Sequence, residues 1–291
     1  MLARAISLLI LFLALSVPAA AQTIYGSVYT GAAGPASLYR INASTGAATL
    51  IGPIGFNRVS AMAFVGQTLY GTASNGADSV LITIDTATGA GTLIGAFGVA
   101  ENATTDMAVR ADGTIFTFTD GNVYTVNKST GAATLVGTGS FSFSGNALTF
   151  AGPSLLLANT NTVGGPAGTL QRVSQTNAAL TVVAPLTYGA GFTVASGPRP
   201  AAMNYSAAKG TIYASIFQGF PVTNTFLATI DPLSGQVTMI GATINNLDGL
   251  AVLDPEAIPA TGDAALIVVA ALLLMLGMLA IGRRRSLSEA G

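Results

Sequence analysis

Ser37-Leu-Tyr-Arg-Ile-Asn-Ala-Ser-Thr-Gly-Ala-Ala-Thr-Leu-Ile-Gly52 recurs as Val80-Leu-Ile-Thr-Ile-Asp-Thr-Ala-Thr-Gly-Ala-Gly-Thr-Leu-Ile-Gly95. It recurs again as Asn122-Val-Tyr-Thr-Val-Asn-Lys-Ser-Thr-Gly-Ala-Ala-Thr-Leu-Val-Gly137. Leu227–Gly241 is a fourth copy, and Leu170–Val183 a degraded one. Turn anchors read at Gly46, Gly89, Gly131, Asn177 and Gly235, with spacings of 43, 42, 46 and 58 residues. A self-similar unit of this length is one supersecondary module that buries its apolar faces only against its neighbours.

The turn inside each copy has a mechanism. Asn42, Asp85, Asn127 and Asp231 open it, where a short carbonyl side chain can accept from the backbone two residues on. Gly46, Gly89, Gly131 and Gly235 close it, where a positive φ is needed and a Cβ would clash. The flanks alternate apolar and polar, as in Leu81, Thr83 and Asp85 against Ile82 and Ile84. Each copy is therefore a β-hairpin.

Two further strands precede each hairpin. Ala61–Val65 leads into Thr68–Thr72, Asp106–Val109 into Thr114–Phe118, Ala147–Phe150 into Leu155–Ala158, and Ala202–Tyr205 into Thr211–Ser215. Four antiparallel strands per forty-odd residues is the signature of a β-propeller blade. The first unit starts at a second strand, Ile24–Val28, and the last piece, Leu247–Leu253, is a first strand with nothing after it. Joined, they complete a blade from both termini. The expectation is an all-β, five-bladed propeller over residues 22–256, closed by its N- and C-terminal strands. An open stack would leave long unpaired edges, a hazard natural sheets avoid. The pattern of Leu-Tyr-Gly and Ile-Asp-x-x-Thr-Gly blades resembles bacterial propeller domains of unknown function, loosely akin to NHL and YVTN-type propellers.

Composition narrows the function. Only 8% of residues are charged, 51% are apolar, and the formal net charge is −1; there is no Cys, His or Trp. Disulfides, thiolate nucleophiles, His-based triads and imidazole metal sites are thereby excluded. Residues 22–257 carry seven basic and ten acidic side chains, so nucleic acid is not an expected partner.

Both ends read as targeting segments. Residues 1–21 combine Arg4, an apolar run from Ala5 to Val17, and small residues at Ala19 and Ala21, which is a secretory signal peptide with cleavage expected before Gln22. Ala264–Gly282 is an uncharged stretch of nineteen residues, long enough to nearly span a bilayer core of about 30 Å as a transmembrane helix. Arg283, Arg284 and Arg285 follow as a stop-transfer cluster, placing residues 283–291 in the cytoplasm as a basic tail. The motif before the helix, Ile258-Pro259-Ala260-Thr261-Gly262-Asp263, resembles the sortase signal Leu-Pro-X-Thr-Gly. With Ala265-Leu266-Ile267 it also resembles the IPTL-CTERM tail, a relative of PEP-CTERM, although the Leu after Thr and the Trp before Ala of that tail are missing. Residues 257–263 are on either resemblance a sorting motif, which implies a sortase- or exosortase-type processing enzyme as partner. A plain membrane anchor through residues 264–282 is the alternative.

Candidate chemistry falls at the channel, where inner strands begin near Ser60, Asp106, Asn146 and Asp248, with Arg199 beside the fourth entry. Asp106 and Asp248 are the candidate metal ligands, for Ca²⁺, a hard cation that takes oxygen donors. The competing reading is that both simply accept backbone amides at the strand entry, since they sit one position apart relative to Met107 and Leu250. Asp112-Gly113 and Asp120-Gly121 read as ordinary turns. No other cofactor is expected. Two functions follow: a non-enzymatic exported protein of the cell surface or extracellular matrix, its propeller binding a polymer or a surface protein, or a carboxylate-based hydrolase or lactonase with its site in the channel.

Overall fold

The computed structural model describes residues 22–28, 34–74, 78–99, 106–119, 121–139, 147–159, 168–193, 197–219 and 224–255. The signal peptide, Asn146, the sorting motif Ile258–Gly262, the apolar stretch 264–282 and Arg283–Arg285 all lie outside the described residues. Among the described residues no helix is long and apolar enough to cross a membrane.

Five antiparallel sheets form. The strands β1 (Thr23–Val28), β2 (Ser37–Ile41) and β3 (Ala48–Pro53) belong to the first blade. The second consists of β4 (Asn57–Val65), β5 (Thr68–Ser74), β6 (Ser79–Ile84) and β7 (Gly91–Ala96). The third has β8 (Asp106–Val109), β9 (Ile115–Thr119), β10 (Asn122–Val126) and β11 (Ala133–Thr138). The fourth has β12 (Ala147–Ala151), β13 (Ser154–Asn159), β14 (Thr169–Val173) and β15 (Leu180–Pro185). The fifth is built from β17 (Arg199–Ser206), β18 (Thr211–Gln218), β19 (Asn224–Ile230) and β20 (Gln236–Ala242), with β16 (Thr187–Tyr188) added to its outer edge.

The split blade forms as its sequence requires. β21 (Leu247–Leu253) pairs antiparallel with β1, from Thr23 opposite Leu253 to Val28 opposite Leu247, giving the order β21-β1-β2-β3. The innermost strands β21, β4, β8, β12 and β17 contact one another in cyclic order, so the ring is closed. A polar latch ties the two ends together. Gln22 donates through Nε2 to Asp254 (2.7 Å) and to Ser206, and its carbonyl oxygen accepts from the Tyr213 hydroxyl (2.9 Å).

The core is divided among the blade interfaces. Five apolar clusters fill them: Leu38, Val59 and Met62 between the first two blades, Leu81, Phe97 and Met107 between the next, then Phe116, Leu148 and Leu157, then Leu170, Met203 and Ile212, and finally Ile24, Leu227 and Leu250 between the fifth and first. Each fully buried Leu, Ile or Phe is worth about 1.5–3 kcal/mol. No blade owns its core, which is why the repeat is stable only as a ring.

Outside, the hairpins repeat atom by atom. Asn42 Oδ1 accepts the amides of Ser44 and Thr45 (2.9 and 3.1 Å), and Asp85, Asn127 and Asp231 do the same for their own turns. The glycine that ends the copy has a separate reason. A Cβ on Gly52, Gly95 or Gly241 would collide with the carbonyl oxygen of Thr88, Thr130 or Thr45, each in the next blade's turn, so these glycines allow backbone-to-backbone contact between blades.

Two details depart from expectation. In the fourth hairpin the positive φ falls on Ala178 (59°), not on Asn177: Ser174 takes the place of the opening Asn/Asp, and the left-handed residue follows it by four positions, as Gly46 follows Asn42. The long stretch before Gly235 holds β16, which pairs parallel with β20 through Thr187 and Tyr188, a strand beyond the four-per-blade pattern.

Candidate functional site

The innermost strand of a blade is a sheet edge, so some of its N–H groups face the channel without a ladder partner. By their place in the repeat, Ala61, Asp106, Ala147, Ala202 and Gly249 occupy one level of that channel, and only Asp106 carries a polar side chain there. It is fully buried. Its Oδ1 accepts the amide of Met107 (2.8 Å), and its Oδ2 accepts those of Leu148 (2.8 Å) and Met203 (3.1 Å). One carboxylate thus joins the third, fourth and fifth blades. Burial pushes the Asp106 carboxyl well above the usual carboxylate range, the three amides pull against that, and Asp248 adds a smaller push upward.

Asp248 sits one residue before the Gly249 level. Burial raises its carboxyl to about 7, against the opposing pull of Arg199. The Arg199 guanidinium lies over Phe217, 5.6 Å from the ring centroid, and its buried Nη1 has no hydrogen-bond partner among the described residues. Burial lowers its pKa, and the charge of Asp248 partly restores it. The structure therefore brings Asp106, Asp248 and Arg199 into electrostatic range at the channel. Ser60 is buried, but β4 begins earlier than expected, at Asn57, so Ser60 lies inside the strand and not at its entry. Among the described residues no group of three His, Cys, Asp or Glu side chains is placed to hold a metal ion. Other side chains also bond between blades: Ser27 Oγ, on β1, donates to the Val59 carbonyl (2.6 Å), Thr149 Oγ1 accepts from the Tyr205 amide (2.9 Å), and Asn204 Oδ1 accepts from the Val252 amide (3.1 Å).

At the end where the inner strands finish there is a cavity of about 470 Å³, to which all five blades contribute. Small-ligand sites span roughly 300–1,000 Å³. Phe64, Phe150 and Tyr205 line it beside Thr149, Asn204 and Lys128, and Arg110 and Asp112 flank it. Arg110 pairs with Asp112 (Nη2 to Oδ2, 2.7 Å), bonds Gln175 through Nη1 (3.2 Å), and packs over Phe116. The guanidinium, followed by the Thr114 amide, holds the Asp112 carboxyl far below its ordinary range. Asp112 and Gly113 do form the turn their sequence implies, Gly113 at φ 81°. Their role as cavity wall is not written in that dipeptide. Nor does any motif announce Lys128, Thr149 or Asn204: they come together from three blades, and only the alignment of blades one upon another would show it.

No protein-family model matches the chain, and no curated protein matches it significantly. Among solved structures, the chain is similar to one described as "Crystal structure of Nidogen/Laminin Complex", at 10% sequence identity and a TM-score of 0.49, over 80% of this chain and 98% of that one.

Proposed function

We propose that the chain is an exported, non-enzymatic interaction module. Residues 1–21 direct its export, the propeller presents the binding surface, and residues 257–285 anchor it in the membrane or are processed at Ile258–Gly262 by a sortase- or exosortase-type enzyme. The mature protein then belongs to the cell envelope or surface, with an extracellular polymer or surface protein as partner. The observation that supports binding over catalysis is the state of Asp106: the carboxylate at the centre of the ring is engaged by three backbone amides, so it is not poised as nucleophile or base. Mass spectrometry of surface and medium fractions tests the targeting. Loss of residues after the sorting motif supports processing, whereas intact residues 264–285 on all mature protein leave a plain anchor. Residues 1–21 retained on all of it overturn export by a cleaved signal peptide.

A second reading is favoured by Asp248, whose carboxyl burial raises to about 7 against the pull of Arg199. Perturbed groups of this kind gather at functional sites. On that reading Asp248 and Asp106 bind Ca²⁺ in a hydrolase or lactonase. Melting with calcium and with chelator separates the two, since a bound ion stabilises by about 2.7 kcal/mol at a hundredfold excess over its dissociation constant. A shift abolished by Asp106→Asn and Asp248→Asn favours the metal site, and its absence favours the interaction module.

A further inference from the structure

The cavity at the far end of the channel has an unbalanced set of free groups. Every nitrogen of the Arg110 guanidinium is engaged: Nε and Nη2 face Asp112, Nη2 also reaches Thr114, and Nη1 faces Gln175. Among the described residues Asn204 bonds only through Oδ1, on the Val252 amide, and Thr149 only through its acceptor side, on the Tyr205 amide. The Asn204 carboxamide N–H groups and the Thr149 O–H are therefore free to donate. Lys128 is exposed and has no ion-pair partner among the described residues. What the pocket has to offer is one ammonium, one hydroxyl and one carboxamide, between the aromatic walls of Phe64, Phe150 and Tyr205.

That set selects a ligand. A phosphate favours an arginine fork, and here the only fork is closed by Asp112. Asp112 is also held ionised at the wall, which repels a dianion yet can accept from sugar hydroxyls. A single negative charge surrounded by hydroxyls and a partly apolar ring fits one cation, neutral donors and aromatic walls. Resting on the interaction-module reading, we propose that this cavity binds the carboxylate-bearing sugar unit of an acidic polysaccharide. Lys128 pairs with the carboxylate, and Asn204 and Thr149 donate to ring or hydroxyl oxygens.

The test is calorimetric titration of the full chain at low salt with a galacturonate tetramer. Free galacturonate, the neutral galactose tetramer and a polyglutamate peptide are run in parallel. The expected result is binding of the uronate tetramer, competition by free galacturonate at higher concentration, and no binding of the neutral sugar or the peptide. Lys128→Gln is expected to weaken binding about tenfold, the loss of one ionic contact, and Lys128→Glu to abolish it. Because Lys128 lies in an exposed turn, unchanged melting of both variants shows that the fold persists. The proposal is overturned if the uronate tetramer does not bind, if the neutral tetramer or peptide binds equally well, or if Lys128→Glu binds as the parent does. Retention of the exported protein at the cell surface without uronate binding overturns this ligand and leaves the interaction reading standing. Loss of both overturns both.

Discussion

The rim and the hub of this ring are built on opposite principles. At the rim, four hairpins repeat the same turn, and each turn satisfies itself: Asn42, Asp85, Asn127 and Asp231 accept amides two and three residues away. At the hub one residue departs from the Ala and Gly of its level, Asp106, whose partners Leu148 and Met203 lie 42 and 97 residues along the chain. Local, exposed bonds can be lost one at a time. A single buried acceptor shared by three blades cannot, because its removal leaves amides of several blades unpaired together. The repeat makes blades; the exception joins them.

The largest effect should therefore come from the hub. Asp106→Ala leaves the Leu148 and Met203 amides without an acceptor at a level otherwise lined by Ala and Gly, and should lower unfolding free energy by about 3 kcal/mol. Asp106→Asn, which keeps an accepting oxygen, should cost about 1 kcal/mol. Denaturant melts of the pair would check this, and equal stability of Asp106→Ala and parent would remove the hub from the account.

Next come the contacts between rim and neighbour. Gly95→Ala drives a methyl group into the Thr130 carbonyl of the next blade, an overpacking that should cost about 2–3 kcal/mol. Ala178→Gly is the counter-case. It relieves about 1 kcal/mol of left-handed strain at φ 59° but gives up a buried methyl worth about 0.8 kcal/mol, so its melt should stay within about 0.5 kcal/mol of the parent. A large loss there would mean that the Ala178 methyl contributes more to packing than its strain costs.

Acid titration sharpens the same contrast. Asp248 and Asp106 have raised folded pKa values, so between the ordinary carboxylate range and about 7 the unfolded chain releases protons that the folded chain keeps. Stability should fall as pH rises across that window. The lowered carboxyls of the rim turns, Asp85 and Asp231, act in reverse and only below about pH 4. Melting temperature recorded from pH 4 to 8 should decline toward neutrality, and Asp248→Asn should flatten the decline. A rise instead would contradict the burial of these groups.

Legibility followed the same division. Blade number, hairpin turns and the closing pair β1–β21 could all be read, because the alternation from Leu81 to Asp85 and the Asn/Asp-to-Gly turns are short-range signals. Ser174 and Ala178 hid the fourth turn by replacing both signal residues, and Asn177 took the anchor's place by composition alone. Strand β16 escaped because two residues carry no periodicity. At the channel, Asp106 was recognisable as a strand-entry carboxylate, but its partners Leu148 and Met203 were not, since amides of apolar residues have no signature. The cavity beside Lys128 was invisible for a different reason: Thr149, Asn204 and Lys128 belong to separate blades.

The hub is tested most directly by amide hydrogen exchange at Leu148 and Met203, in the parent and in Asp106→Ala. Both amides should exchange only through global opening in the parent, and the substitution should speed both together by about a hundredfold relative to strand amides of the outer hairpins, as loss of roughly 2.7 kcal/mol of local protection would require. Fast exchange of these amides in the parent, or exchange unchanged by the substitution, would contradict a shared acceptor at Asp106.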